Sequence, residues 1–107
     1  MKIYLACPYT HQDKHIEAQR FWKANEKAAE LLNQGHIIFS PISHSHPIHL
    51  AGQLPGDYAF WKAQAEAFVP WCDEMWIYCL PGWEESKGIK EETDLASAIG
   101  KPIKRIS

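Results

Sequence analysis

Three short apolar runs and a last short strand-like segment alternate with helix-length segments along this 107-residue chain, and that alternation leaves few folds open to it. Lys2 to Cys7 is apolar and β-favouring, and Pro8 closes it, as expected of a buried parallel strand and its exit loop. From about Glu17 to Asn33, Phe21, Ala24, Ala28, Leu31 and Leu32 recur at helical spacing, and Gly35 stands where a helix terminates. His36 to Phe39 reads as a second strand ended by Ser40-Pro41, and the His-, Ser-, Pro- and Gly-rich stretch from there to about Gly56 reads as a long loop. Asp57 is placed to cap a helix with Trp61, Ala65, Phe68 and Val69 on its apolar face, which Pro70 ends or kinks. Glu74 to Leu80 is the third strand, stopped by Pro81. A third helix runs from about Ser86 to Ala98, Gly100 stops it, and Pro102 to Ile106 is the last strand.

Strand–helix alternation without internal repeats is the pattern of a parallel sheet with right-handed helical crossovers. The expected fold is a single α/β domain over residues 1–107, a three-layer sandwich with a flavodoxin- or Rossmann-like sheet of about four to five strands. Ligands in such sheets bind beyond the carboxyl ends of the strands. Three segments fall there: Cys7-Pro8-Tyr9, Ser40 to His49, and Pro81 to Ser86.

Within the third helix, a turn of about 100° per residue puts Gly88, Ile89, Leu95, Ala96 and Ile99 on one face with Glu92 at its centre, and points Glu91 away. A carboxylate inside an apolar stripe is costly unless it is paired, hydrogen-bonded or used. Glu84, Glu85 and Glu91 need no such explanation, because acidic residues near a helix N-terminus are favoured by the macrodipole. Burial raises a carboxyl pKa while polar partners lower it, so the net sign for Glu92 is open at this level.

Composition narrows the partners. A formal net charge of −2, with Lys101, Lys104 and Arg105 as the sole basic cluster, argues against a nucleic-acid polymer. No apolar run approaches bilayer length, so a membrane is not an expected partner, and no signal-type segment opens the chain; the cytoplasm is the expected compartment. Cys7, Cys72 and Cys79 are odd in number, lack Cys-x-x-Cys spacing and read as reduced core thiols. His44, His46 and His49 have spacings that two imidazoles can use to share a metal, but no carboxylate or thiolate at ligand spacing completes a site, so pocket lining is preferred and no metal is expected.

Ile3-Tyr4-Leu5-Ala6-Cys7-Pro8-Tyr9, then Cys72-Asp73 before an apolar strand, then Gly82-Trp83-Glu84-x-Ser86-x-Gly88-x-x-x-Glu92-x-x-x-Ala96, resembles the nucleoside 2-deoxyribosyltransferase-like proteins. Within them the likeness is to a short branch with the Gly-Trp-Glu-x-Ser signature. The resemblance implies that Glu92 matches the Glu that attacks the anomeric carbon of a deoxyribose, displacing the base and forming a glycosyl ester. It likewise implies that Tyr4 approaches this nucleophile; the competing reading of Tyr4 is a core aromatic on a strand. Ser86 matches a position where relatives acting on nucleoside 5′-monophosphates carry Ser and those transferring between nucleosides carry Asp, with Lys87 as a helper; the competing reading is an N-cap.

Cys7, Pro8, Tyr9, Ser40, His44, His46, Gly82, Trp83, Glu84, Ser86 and Gly88 form the expected substrate-binding set. Trp83 suits stacking on a base or ribose, or anchoring its loop on the core. Many relatives carry Gly at the position of Cys7, and the second carboxylate that transferases use for the base's proton has only Glu66 and Asp73 as local candidates. The expected function is cleavage or transfer at the N-glycosidic bond of a nucleoside or its 5′-monophosphate, without a cofactor and in a homo-oligomer. The alternatives are a catalytically silent nucleotide-binding or sensing module and a hydrolase of other sugar phosphates.

Overall fold

The computed structural model describes residues 1–107. Strands β1 (Lys2–Ala6), β2 (Ile37–Phe39), β3 (Glu74–Tyr78) and β4 (Ile103–Ile106) form one parallel sheet in the order β2-β1-β3-β4. Tyr4 stands beside Phe39 on one side and Met75 on the other, and Tyr78 pairs with Ile106 at the far edge. Helices α1 (Lys14–Asn33), α2 (Pro41–Gly52), α3 (Tyr58–Phe68) and α4 (Lys87–Ala98) make the connections. The α/β sandwich with a four-stranded parallel sheet is therefore the fold that the alternation predicts. No helix is long and apolar enough to cross a membrane.

Side chains on a strand alternate between faces, and β1 divides its residues accordingly. Ile3, Leu5 and Cys7 pack with Ala24, Ala28, Leu31 and Trp76 under α1. Tyr4 and Ala6 face the other way, into a cluster with Ala65, Val69, Cys72, Met75, Ile77, Ile89 and Ala96 under α3 and α4. Ile3 and Leu5 are fully buried, and removing side chains of that size from water stabilises the fold by about 1.5–3 kcal/mol each. This division puts Tyr4 and α4 on one side of the sheet.

The stretch from Ser40 to Gly56 is not a loop throughout: Pro41–Gly52 is helix α2. Pro41 sits at the start, where a helix needs no N–H, and the His44 amide bonds the Ser40 carbonyl at 3.0 Å. Pro47 lies inside the helix and removes one of its backbone donors. No residue of α2 is buried, so its sequence lacks the apolar stripe that marks a helix.

Other bounds shift by a few residues. Helix α1 begins at Lys14 because Asp13 caps it, accepting the His15 amide at 2.9 Å. Ile99 lies past the end of α4 and is 45% exposed, and Leu32 is also exposed, so neither joins the core face expected of it.

Candidate functional site

Beyond the carboxyl ends of β1 and β3, the strands where the sheet's winding changes direction, lies a cavity of about 370 Å³. Its floor holds Tyr4, Cys7 and Glu92; one wall comes from α2, with Ser45, His46 and His49; another comes from Gly56 to Ala65 at the start of α3; Glu85, Ser86, Lys87 and Gly88 close it.

Glu92 is 7% exposed, about one and a half turns into α4. The Tyr4 phenol donates a hydrogen bond to its Oε2, and no Lys or Arg side chain forms an ion pair with it. Burial pushes the Glu92 carboxyl up to about 7, against the smaller lowering effect of the Tyr4 hydrogen bond. The helix dipole helps little, since its effect fades within the first turn. Burial and the Glu92 carboxylate together raise the Tyr4 phenol and the Cys7 thiol well above their ordinary ranges. Burial, Glu92, Glu91 and Glu66 push Tyr58 up to about 12. Tyr4 alone bonds the Glu92 carboxyl, and Cys7 and Tyr58 feel its charge without a hydrogen bond to it.

Ser86 is the N-cap of α4, its hydroxyl accepting the Ile89 amide at 3.2 Å, and it also lines the cavity. The Lys90 amide returns to the Ser86 carbonyl, while the amides of Lys87 and Gly88 precede the first intrahelical bond at the cavity's edge.

The structure brings Tyr4, Cys7, Tyr9, His46, Ser86, Gly88 and Glu92 of the expected set to one cavity. It keeps six others off the wall. Pro8 is fully buried within the first loop. The Ser40 hydroxyl pairs with Ser43, and His44 is exposed, beside Phe39. Trp83 packs against the core beneath the Arg105 guanidinium, and Glu84 is exposed. Gly82 lines an adjoining polar cleft with Thr10, His11, Arg20, Glu85 and Ser86. Neither Glu66 nor Asp73 reaches the cavity, and Asp73 is held by the Lys2 amide at 2.8 Å. The carboxylates on its wall besides Glu92 are Asp57 and Glu85. Sequence reasoning passed over Tyr58 and Gln64 and placed Trp61 only on the apolar face of its helix; the helix was visible, but not that this side of α3 borders the cavity. No three His, Cys, Asp or Glu side chains come together as a metal-binding group.

Arg20 fixes two of the cavity's loops to each other. Its Nη1 donates to the Tyr9 and Thr10 carbonyls at 3.3 and 3.1 Å, and its Nη2 to the Pro81 carbonyl at 3.1 Å. Gly82, at φ +91°, lets the guanidinium approach: a Cβ there would lie 2.6 Å from Nη2. Gly82→Ala is expected to destabilise the fold by about 2 kcal/mol, from left-handed strain plus the broken clamp, as read by urea unfolding. A loss below about 0.5 kcal/mol would show that the two loops hold their places without the clamp.

Comparison with known proteins agrees with this architecture. The structure is similar to that of a 2-deoxyribosyltransferase from the psychrotolerant bacterium Bacillus psychrosaccharolyticus, with a TM-score of 0.65 and 21% identity over 98% of this chain and 71% of that one. At that identity the likeness shows a shared fold. No curated protein sequence matches the chain. A family model does match it, from residue 1 to residue 107, and the chain belongs to that family, described as Domain of unknown function (DUF1937).

Proposed function

We propose that the protein cleaves the N-glycosidic bond of a nucleoside or nucleoside 5′-monophosphate with Glu92 as nucleophile, passing the sugar to water or to a second base. The observation that carries this reading is a buried carboxyl on the cavity floor, held by one phenol and neutralised by no cation. Such a group is costly to keep unless the site uses it. The fold shared with a 2-deoxyribosyltransferase, described as a biocatalyst for nucleoside synthesis, supports the substrate class.

In this mechanism an oxygen of ionised Glu92 attacks the anomeric carbon as the carbon–nitrogen bond breaks. The base leaves with the bonding pair and takes up a proton. Tyr4 holds the carboxylate in line through its hydrogen bond. Water or an acceptor base then attacks the same carbon from the face opposite Glu92, loses to solvent a proton that balances the one the departing base took up, releases the Glu92 carboxylate and gives net retention. Incubation with a panel of deoxynucleosides and monophosphates, with and without an acceptor base, tests this by chromatography of the released base. Release that Glu92→Ala abolishes supports it; binding without release in the wild type indicates a silent nucleotide-sensing module instead.

Ser86 and the amides of Lys87 and Gly88 favour a monophosphate over a free nucleoside, because a helix N-terminus capped by a hydroxyl suits an anion. Ser86→Asp retains a good capping residue but adds a negative charge. It is expected to weaken monophosphate binding by about tenfold or more, while nucleoside binding changes little. Calorimetry showing wild-type protein binding nucleosides as tightly as their monophosphates would remove this preference.

A further inference from the structure

Two imidazoles on one wall of the cavity have their hydrogen-bonding roles set by the protein. His49 Nδ1 bonds the Leu54 carbonyl, which only accepts, so Nδ1 carries the proton and the neutral ring's Nε2 is a bare acceptor. His46 Nδ1 bonds the Tyr9 hydroxyl. A phenol is the better donor and an imidazole nitrogen the better acceptor, so Tyr9 donates, and His46 carries its proton on Nε2. Burial and the neighbouring His49 lower the His46 pKa against the opposing pull of Glu17, which favours the neutral ring.

Both rings are held in place. His46 stacks on Phe21 with centroids 4.3 Å apart and meets the Tyr9 ring edge-on at 5.4 Å. His49 lies against Gly56, where a Cβ would come 3.1 Å from Cε1 and 3.4 Å from Nε2. A side chain at residue 56 would therefore press on the edge of the ring that carries Nε2. The two histidines are three residues apart on α2, both line the cavity, and neither Nε2 has a partner within the protein.

We infer that His46 and His49 are specificity-determining residues, a fixed donor and a fixed acceptor that together read the edge of a heterocycle carrying a hydrogen-bond acceptor next to a donor. Adenine, with its ring nitrogen beside an exocyclic amine, is such a base; unsubstituted purine lacks the donor. The inference rests on the nucleoside reading of the cavity.

Two measurements test it. Long-range ¹H–¹⁵N NMR at pH 8 is expected to find the proton of His49 on Nδ1 and that of His46 on Nε2; the opposite pattern at either ring would overturn the pair. Binding is then compared by calorimetry for 2′-deoxyadenosine and purine 2′-deoxyriboside in the Glu92→Gln protein, where turnover is blocked. His49→Asn keeps a donor near the Leu54 carbonyl, and His46→Asn keeps an acceptor for Tyr9, while each deletes the Nε2 group. Each is expected to lower deoxyadenosine affinity about tenfold and His49→Asn to leave purine 2′-deoxyriboside within about twofold. Equal losses for both ligands with His49→Asn would overturn edge reading and leave the glycosidic mechanism standing. If no nucleoside or monophosphate in the panel binds the wild-type protein, both readings fall together.

Discussion

Glu92→Gln is expected to lower the rate of base release by at least about a thousandfold and, at alkaline pH, to make the protein more stable. The two effects share a cause. Glutamine keeps the shape and an acceptor for the Tyr4 phenol but removes both the nucleophile and the buried charge. In the wild type, burial raises the carboxyl from an ordinary value of 4.5 to about 7. Below pH 4.5 the group is protonated whether the chain is folded or not, and it costs nothing. As pH rises, the unfolded chain ionises first, the folded state lags, and stability is lost progressively until the pH passes 7. At about 1.4 kcal/mol per tenfold change in proton affinity, the loss is roughly 3 kcal/mol. Urea unfolding at pH 5, 6, 7 and 8 should show the wild type losing stability relative to the Gln variant across that window. Parallel pH profiles would mean that Glu92 is not a strained carboxylate. The rate should move oppositely, with kcat/KM rising through pH 7 as the nucleophile ionises.

On the proposed mechanism stability and activity oppose each other at one residue, and the sequence already pointed to it. Glu92 at the centre of an apolar stripe needed only the helical period, and Tyr4 on the matching face needed only the period of two along β1. The sheet was legible from local signals: β1, β2 and β3 are short, largely apolar runs followed by a Pro, and β4, with Lys104 and Arg105 inside it, was placed by Gly100 and Pro102 ahead of it. Helix α2 was not, because it buries nothing and carries two prolines and three histidines in its 12 residues.

That omission propagated to the site. Read as a loop, the segment gives His44, His46 and His49 no common geometry. As a helix it brings His46 and His49 to one wall and leaves His44 exposed, off the cavity. Tyr58 and Gln64 belong to the same class of miss, since their helix was recognised but its neighbour was not. The direction of the Glu92 shift was also beyond the sequence. It depended on the carboxyl having one neutral partner and no cation, a count that three-dimensional packing decides.

Tyr4→Phe separates a positioning phenol from a packing ring. The hydrogen bond from Tyr4 favours the ionised carboxylate, so its removal is expected to raise the Glu92 pKa beyond its already elevated value and to move the acid limb of kcat/KM to higher pH. A displacement of one pH unit would leave roughly tenfold less nucleophile in the low-pH part of the profile, so the rate loss should be largest there and shrink above the new limb. Stability should follow the opposite order: a loss of about 1–3 kcal/mol at pH 8, where an ionised oxygen has lost its partner, and a smaller loss at pH 5, where the carboxyl is neutral. The aromatic contact with Phe39, at 5.7 Å between ring centres, survives in the variant and keeps packing effects small. A rate loss independent of pH, with equal destabilisation at pH 5 and 8, would assign Tyr4 to the core alone.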